Sequence, residues 1–338
     1  MRQVLVPLEI DPTPAPAGSR LLALSGVAMG SDWSARLALP ASVAADLKPA
    51  LQAELDLVVA QMSHWDEHSL LSRYNRGPAG SWHDLPPPFF EVIDYALAVQ
   101  NLSSGAYDPA AGALVNLWGF GAAGRYDQAG FYAPAADAVA AVMTRRRAAQ
   151  PVLDRDHRRL LQPGGAVLDL SAVAKGYAVD RMALCLQAQG VHHYLVEAGG
   201  ELRGAGVKPD GQPWWVEIEG VPGVQADAPP LLALHGLAVA TSGDYRRFFQ
   251  PRSGGRVSHT LDPRSGRPIA NGVASTTVIA ATCMAADALS TALTVLGTQA
   301  GMALAEREGI AARWLVRGAG AAAEPSAITS SAWRALLQ

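Results

Sequence analysis

Two oxygen-bearing residues of one apolar helical segment are the best candidates for metal chemistry. Asp287 and Thr291 lie four residues apart in the run ADALSTALTVLG, so both side chains project from the same face of a helix. Such ligands suit Mg²⁺ completed by water and phosphate oxygens, whereas zinc prefers nitrogen or sulfur. The same residues also suit a plain helix, with Asp287 in its first turn interacting favourably with the helix dipole and Thr291 as an ordinary helix hydroxyl. The spacing predicts a magnesium site and leaves this alternative open.

Lysine is scarce in this chain, and one lysine stands inside an apolar run. Lys175 lies next to Gly176 in VLDLSAVAKGYAVD, six residues after Asp169. An ammonium near a helix start suits a phosphate or a ring carbonyl, and Asp169 can accept a hydrogen bond from a hydroxyl or ring N–H. An internal Asp169–Lys175 ion pair, or a snorkelling lysine, accounts for the same pattern.

A histidine near a turn is the candidate general base. The segment SHTLDPRSGRP indicates a strand that enters a Pro-Arg-Ser-Gly turn, with His259 just before Asp262. Histidine accepts a proton near neutral pH and could activate a hydroxyl nucleophile. The alternative is a histidine that only bonds to its own turn.

Three further segments could bind a ligand but are ambiguous alone. HWDEH places Trp65 at a helix end, and its two histidines do not follow the HExxH order of zinc proteases. In GAYDP, Tyr107 could stack and Asp108 could accept a hydrogen bond. TSG at residues 241–243 follows a predicted buried strand and could either bind an anion or form a turn.

Several function classes are excluded. GGELRGAG lacks the GxGxxG spacing and the chain has no GxxxxGK[ST], so dinucleotide-fingerprint and P-loop sites are not expected. Cys185 and Cys283 have no CxxC spacing, which favours buried structural thiols. A net charge of −3 without long single-sign runs gives no nucleic-acid surface. We expect no signal peptide and no apolar stretch long enough to span a membrane.

The elements that must carry these residues indicate an α+β domain. At 338 residues and 49% hydrophobic, the chain can bury a large core. Residues 1–19 read as an extended Pro/Ala-rich tail, and residues 20–338 as a single domain that begins with a buried strand ending at Met29-Gly30. Helices are predicted within 41–64 and 89–104, and surface loops with one helix over 121–165. A strand-to-helix unit follows from Ala166, then short strands and the helix carrying Asp287. Locally paired strands mixed with long helices favour α+β over a βαβ array.

Taken in order, eight segments resemble the ApbE family of FAD:protein FMN transferases. They are MG at Met29, SRYN, GAYDPAAGALVNLWGFG, DLSAVAKGYAVD, YLVEAGGELRGAG, TSGDYRRFF, SHTLDPRSGRPI and ADALSTALTVLG. The resemblance implies a two-lobed fold related to T-fold units, with FAD in a cleft between the lobes and Mg²⁺ beside its pyrophosphate.

The resemblance also assigns roles to individual positions. It implies metal ligation by the Ala172 carbonyl with Asp287 and Thr291, and catalysis by His259 as base. The implied FAD-contacting positions are Met29, Trp65, Ala106, Tyr107, Asp108, Asp169, Lys175 and Leu261. The implied reaction transfers FMN from FAD to a threonine or serine of an acceptor protein and releases AMP. An FAD pyrophosphatase or a non-catalytic flavin carrier stays open, because the first shares every residue with the transferase.

Two departures from the family pattern bear on these expectations. Many relatives have threonine where Ala110 follows Asp108-Pro109, which should change only local bonding. Many carry a lipoprotein signal that is not evident here, so we expect a cytoplasmic location, with a periplasmic one if the start is mis-assigned or a leader is missing.

Overall fold

The chain divides into two compact units. The structure, a computed structural model, describes residues 2–40, 47–123, 125–224, 228–245, 247–250, 256–318 and 325–338. The first unit comprises Met1–Leu57, Lys175–Gly243 and Gly272–Gln338, and the second comprises Val58–Ala174 and Asp244–Asn271. Strands in both units pair mainly antiparallel and are mixed with helices, which confirms the α+β class.

The elements have the following bounds. The helices are α1 (Leu47–Met62), α2 (Leu70–Asn75), α3 (Pro87–Leu102), α4 (Gly112–Leu117), α5 (Ala136–Ala148), α6 (Ala174–Ala188), α7 (Cys283–Glu308) and α8 (Ser331–Ala335). The strands are β1 (Val4–Leu5), β2 (Ser19–Ala28), β3 (Ser31–Pro40), β4 (Ser81–Asp84), β5 (Val152–Asp154), β6 (Arg159–Gln162), β7 (Tyr194–Ala198), β8 (Glu201–Ala205), β9 (Trp214–Glu217), β10 (Leu231–Leu234), β11 (Leu237–Gly243), β12 (Phe248–Phe249), β13 (Val257–Ser258), β14 (Leu261–Asp262), β15 (Arg267–Pro268), β16 (Val273–Ala280), β17 (Ala311–Val316) and β18 (Ser326–Thr329).

An eight-stranded sheet in the order β18-β17-β16-β11-β8-β7-β3-β2 organises the first unit. The predicted first strand exists as β2, but it is an edge strand with an exposed face and not a buried strand. Its turn into β3 consists of Met29 and Gly30, with φ of 53° and 71°. Two residues in the left-handed region define the tight hairpin turn that matches strand twist, so Met29 occupies a conformation unusual for its type.

Helix α7 packs on this sheet against β11 and β16 and positions the predicted metal residues. Thr282 caps its start by accepting a hydrogen bond from Ala285 N (3.3 Å), and the helix kinks at Gly297 (φ 72°). Among the described helices, α7 alone is long and apolar enough to cross a membrane by length and composition, contrary to the sequence expectation. Because 61% of its apolar window is buried inside the fold, its placement is that of a core helix.

In the second unit, helices α2–α5 accompany three small sheets, β4-β6-β5, β12-β13 and β14-β15. Helices α1 and α3 confirm the predicted helical patterns, although residues 41–46 of the first prediction lie outside the described residues. A buried cluster joins α4, α5 and β14; its members are Leu114, Trp118, Phe120, Val139, Val142, Met143 and Leu261. The region 121–165 therefore supplies core residues and two strands, and is not only surface loop.

Two predicted boundaries differ from the structure. The fold does not begin near Arg20, because Val4 and Leu5 pair in parallel with β10 and Leu5 is fully buried. The predicted strand at residues 166–170 is extended but unpaired with any strand. Its backbone bonds to the Asn75 side chain through Leu168 N and O (2.7 and 2.9 Å) and to the loop after Tyr107 instead.

Candidate active site

In the first unit, helices α6 and α7 cap each other through carboxylates. Asp180 on α6 accepts hydrogen bonds from Cys283 N (2.9 Å) and Met284 N (2.8 Å), the first two N–H groups of α7. Asp287 on α7 accepts one from Gly176 N (3.0 Å) in the first turn of α6. Since first-turn N–H groups have no partner within their own helix, both carboxylates satisfy donors that would otherwise be unpaired.

Asp287 is therefore a rigidly held, buried carboxylate. It is 4% exposed, and burial raises its pKa against the opposing effects of Lys175 and the Gly176 N–H. Its Oδ2 atom takes the Gly176 bond. Asp287 lies beyond the first turn of its own helix, so the helix dipole with which it interacts favourably is that of α6. The expectation that Asp287 stabilises the start of its own helix is therefore wrong.

Lys175 forms an ion pair with Glu201, the first residue of β8. Burial disfavours the ammonium, but the carboxylates of Glu201 and Asp287 outweigh it and raise the pKa of Lys175. Burial raises the pKa of Glu201 to about 7 even with Lys175 beside it. The ion pair that holds this lysine is thus with Glu201, and Glu201 Oε2 is buried without a hydrogen-bond partner in the structure.

Hydroxyl groups continue this cluster along α7. Thr291 Oγ1 and Ser290 Oγ each lie 2.7 Å from Ser242 Oγ on β11. The segment TSG at 241–243 is therefore part of a paired strand, neither a turn nor a loop. Ser242 of this segment is a hydrogen-bond partner of Thr291, which lies one helical turn after Asp287.

The chemistry of this cluster fits a hard divalent cation. Two buried carboxylates, Asp287 and Glu201, lie near one ammonium, Lys175, and burial raises the pKa of both acids, so a cation bound here would favour their ionised forms. Asp287 Oδ1 and the Thr291 hydroxyl are oxygen donors of the type that Mg²⁺ prefers. No group of three or more His, Cys, Asp or Glu side chains that could hold a metal exists among the described residues. A cation here would need backbone and ligand oxygens to complete its shell.

The second unit holds the other predicted carboxylates. Ala106 and Tyr107 are buried, and Tyr107 N donates to Ser103 Oγ (3.0 Å). Asp108 pairs with Arg146 of α5, and both side chains are 7% exposed. Asp169 donates its N–H to Pro109 O (2.8 Å), so the Tyr107–Ala110 loop also fixes the Asp169 backbone.

Asp169 is held by local bonds and lies near a histidine. Its Oδ1 accepts from Ser171 N (2.8 Å) and Ser171 Oγ (2.6 Å), and His64 Nδ1 lies 3.6 Å away. Trp65, the next residue, is 51% exposed, tilts against the His64 ring at 5.1 Å, and has the Arg125 guanidinium 5.8 Å from its ring centroid. An exposed, oriented indole of this kind can stack on a planar ligand.

His259 lies between β13 and β14. Its Nδ1 is 3.0 Å from Arg247 O, and its ring meets the edge of Phe120 at 6.1 Å. A carbonyl can only accept, so Nδ1 carries the proton and Nε2 is the acceptor nitrogen of the neutral ring. This tautomer is the one that a base acting through Nε2 requires.

Leu261, Met29 and Ala172 have apolar side chains, so they can offer a ligand only packing or backbone contacts. Leu261 is 7% exposed in the α4–α5 cluster, Met29 forms the β2–β3 turn, and Ala172 lies in the turn before α6. His68 is exposed, Cys283 is buried and Cys185 half-buried. Glu201, Asp180 and Arg146 were missed as site-supporting residues; Lys175 inside an apolar run was the only local signal that a buried acid was needed.

Known proteins resemble this chain over most of its length. The ApbE family model matches residues 29–314. The FAD:protein FMN transferase of Vibrio cholerae serotype O1 is 37% identical over 307 residues, covering 87% of each chain. That of Escherichia coli strain K12 is 32% identical over 308 residues, covering 89% of this chain and 86% of the relative.

Solved structures agree with the sequence relatives. The apo flavinyl transferase ApbE of Pseudomonas stutzeri superposes with a TM-score of 0.82 at 37% identity, covering 94% of this chain and 97% of that one. The flavin transferase ApbE from Vibrio cholerae gives 0.83 at 34% identity, covering 94% of this chain and all of that one.

Proposed function

This chain belongs to the ApbE family, and we propose that it transfers FMN from FAD to a threonine or serine hydroxyl of an acceptor protein, with AMP as the second product. The names of its relatives, FAD:protein FMN transferases that match 87–89% of this chain, support the donor, the transferred group and a protein acceptor. The observation that carries the proposal is the cluster of two buried carboxylates, Asp287 and Glu201, with the half-buried Lys175 and the Thr291 hydroxyl, a set of groups that suits a cation and an anionic ligand.

The bond changes are those of phosphoryl transfer. The acceptor hydroxyl oxygen forms a bond to the phosphorus on the FMN side of FAD, and the bond from that phosphorus to the bridging oxygen breaks, so AMP leaves with that oxygen. The hydroxyl proton passes to His259 Nε2, whose Nδ1–H is fixed by the Arg247 carbonyl. His259 later releases this proton to solvent.

Each of the other predicted residues acts in binding or orientation. Lys175 offers its ammonium to the pyrophosphate, and Asp108 and Asp169 accept hydrogen bonds from the flavin nucleotide. Trp65 covers a planar ring, while Met29, Ala106, Tyr107 and Leu261 contribute backbone or packing contacts. Asp287 and Thr291 would hold Mg²⁺, for which the family resemblance implies the Ala172 carbonyl as a further ligand, and the ion would neutralise charge on the pyrophosphate.

The proposal is tested by mixing the protein with FAD, Mg²⁺ and a candidate acceptor domain, then measuring acceptor mass and AMP release, with EDTA as control. We expect the acceptor to gain one FMN per AMP released, and EDTA to abolish both. AMP without acceptor modification contradicts the transferase and indicates a pyrophosphatase. Bound FAD with neither product indicates a carrier.

Matched variants on α7 separate metal binding from helix integrity. Thr291→Val removes the hydroxyl one turn after Asp287, whereas Thr294→Val removes a hydroxyl that donates back to Ser290 O (2.7 Å) in the same helix. We expect the first to raise the Mg²⁺ concentration needed for half-maximal transfer by about tenfold or more, and the second to leave it unchanged. Equal effects of both variants would refute the assignment of Thr291.

The role of His259 is tested with a second matched pair. His259→Gln should lower the rate of transfer by about 10²-fold to 10⁴-fold without changing FAD affinity. His157, a 68% exposed histidine of the same unit that pairs with Asp154 (3.0 Å), provides the control His157→Gln, which should transfer FMN normally. Full activity of His259→Gln would remove it as the base.

A further inference from the structure

Helix α5 carries three consecutive arginines that differ in burial. Arg145 and Arg147 are exposed, whereas Arg146 is 7% exposed. Burying a guanidinium costs free energy unless hydrogen-bond acceptors satisfy its N–H donors, so the acceptors around Arg146 indicate its role.

Arg146 uses its donors on two separate segments of the second unit. On the first segment, Nη2 pairs with Asp108 Oδ2, and Nε donates to Ala110 O (3.2 Å). On the second segment, Nη1 donates to Pro263 O (3.0 Å), the residue that follows the β14 strand of Leu261. One planar group thus ties the Tyr107–Ala110 loop to the turn between β14 and β15.

The rest of α5 supports the same turn. A Cβ atom added to Gly266 in that turn would lie 2.8 Å from Met143 Sδ and 3.0 Å from Val139 Cγ1, so the helix and the turn are in close contact. Trp118 Nε1 also donates to Gly266 O (2.9 Å). Val139, Met143 and Arg146 share one face of α5, since they are spaced by four and three residues.

We propose that Arg146 is a positioning residue that sets FAD affinity by holding the Asp108 loop and the turn after Leu261 in one arrangement. The proposal rests on the proposed function only in that FAD is the ligand of these segments. Arg146 orients Asp108 Oδ2, while Asp108 Oδ1 accepts from Ala110 N (2.8 Å), so the carboxylate has a single orientation. Lysine cannot reproduce the clamp, because its ammonium lacks a planar fork that reaches three acceptors in different directions.

The test compares Arg146→Lys and Arg146→Gln with the neighbouring exposed variants Arg145→Lys and Arg147→Lys. FAD dissociation constants are measured by fluorescence at a temperature where circular dichroism shows each variant folded. KM for FAD and kcat are measured in the transfer assay, and hydrogen exchange is followed over residues 105–112 and 260–268. Arg146→Lys keeps the charge, so it reports on geometry even where Arg146→Gln does not fold.

We expect both Arg146 variants to raise the Kd and KM for FAD by about 10-fold to 100-fold, an effect of the size of one charge-assisted hydrogen bond. The kcat at saturating FAD should change much less, and exchange should accelerate in both segments. The Arg145 and Arg147 variants should match the wild type.

A purely structural role predicts a different result. In that case Arg146→Lys lowers the melting temperature, but the folded variant binds FAD within twofold of the wild type, and this outcome overturns the proposal. Equal weakening by Arg145→Lys overturns it as well. A wild type that binds FAD and shows the Arg146 effect but transfers no FMN refutes the proposed function and leaves the positioning role standing.

Discussion

Replacing Gly176 by alanine tests how closely the start of α6 must approach α7. A Cβ atom at this position would lie 2.3 Å from Cys283 O and 2.8 Å from Asp287 Cβ. Ordinary contact begins at 3.4 Å, so the two helices must separate by about 1 Å. A separation of this size lengthens the 3.0 Å bond from Gly176 N to Asp287 Oδ2 beyond hydrogen-bond distance.

The free energy of unfolding should fall despite the better helix propensity of alanine. Alanine contributes about 1 kcal/mol in a helix interior relative to glycine. Overpacking costs about 1–3 kcal/mol, and loss of a hydrogen bond to a charged group costs about 1.5–3 kcal/mol. The net loss is about 1.5–5 kcal/mol. Asp287 would also lose its fixed orientation, so the Mg²⁺ requirement of FMN transfer should rise.

Urea unfolding, followed by tryptophan fluorescence, measures the first effect, and Mg²⁺ titration of transfer measures the second. The control is Gly309→Ala at the end of α7, where φ is 65° and nothing lies within 4 Å of the added Cβ. We expect it to cost about 1 kcal/mol of backbone strain with a normal Mg²⁺ requirement. A Gly176→Ala protein as stable as the wild type, with unchanged Mg²⁺ dependence, would refute the reasoning about this contact.

Three further perturbations follow from the same structure. Burial raises the pKa of Glu201 from 4.5 to about 7, so its contribution to the free energy of unfolding is complete below pH 4.5 and is lost as pH rises through 7. In EDTA, Glu201→Gln should remove up to about 3 kcal/mol of this pH-dependent loss of stability. The control Glu67→Gln, at a 79% exposed side chain, should leave the loss as it is in the wild type. Asp180→Ala leaves Arg203 and the first N–H groups of α7 unpaired, so urea unfolding should show a loss of about 3–5 kcal/mol, and a loss under 1 kcal/mol would contradict this role. Ser330→Ala removes a buried hydroxyl that accepts from two backbone N–H groups and donates to a third residue's carbonyl; it should cost about 2 kcal/mol in the same assay and leave FMN transfer intact.

Local sequence patterns predicted the parts of the fold that depend on neighbouring residues. The apolar periodicity of α1 and α3 is a property of the segment itself, and so is the one-turn spacing of Asp287 and Thr291. Both were therefore visible in the sequence. The composition of residues 166–170 is typical of a strand and predicts one, but pairing depends on distant partners. Here Asn75, more than 90 residues away, takes the backbone bonds of Leu168.

The supporting residues of the candidate site escaped prediction for the same reason. Lys175 and its partner Glu201 are 26 residues apart, Asp108 and Arg146 are 38 apart, and Asp180 and Cys283 are 103 apart. No periodicity connects positions at such separations. The unusual placement of Lys175 showed that a buried partner was needed, but it did not say which acid supplied it.

The two units hold the candidate-site carboxylates Asp287 and Asp108 by different donors, and this difference predicts a different tolerance to mutation. Asp287 is held by a backbone N–H, that of Gly176, which every substitution except proline leaves in place. At position 176 the cost should therefore grow with side-chain volume, because only steric separation of α6 and α7 can break the bond. Asp108 is held by the Arg146 side chain, so at position 146 the cost should follow the geometry of the donor group and not its size. Serine at 176 and lysine at 146 are thus both conservative by chemistry, yet each should damage its site: the first because it adds atoms, the second because it removes the fork.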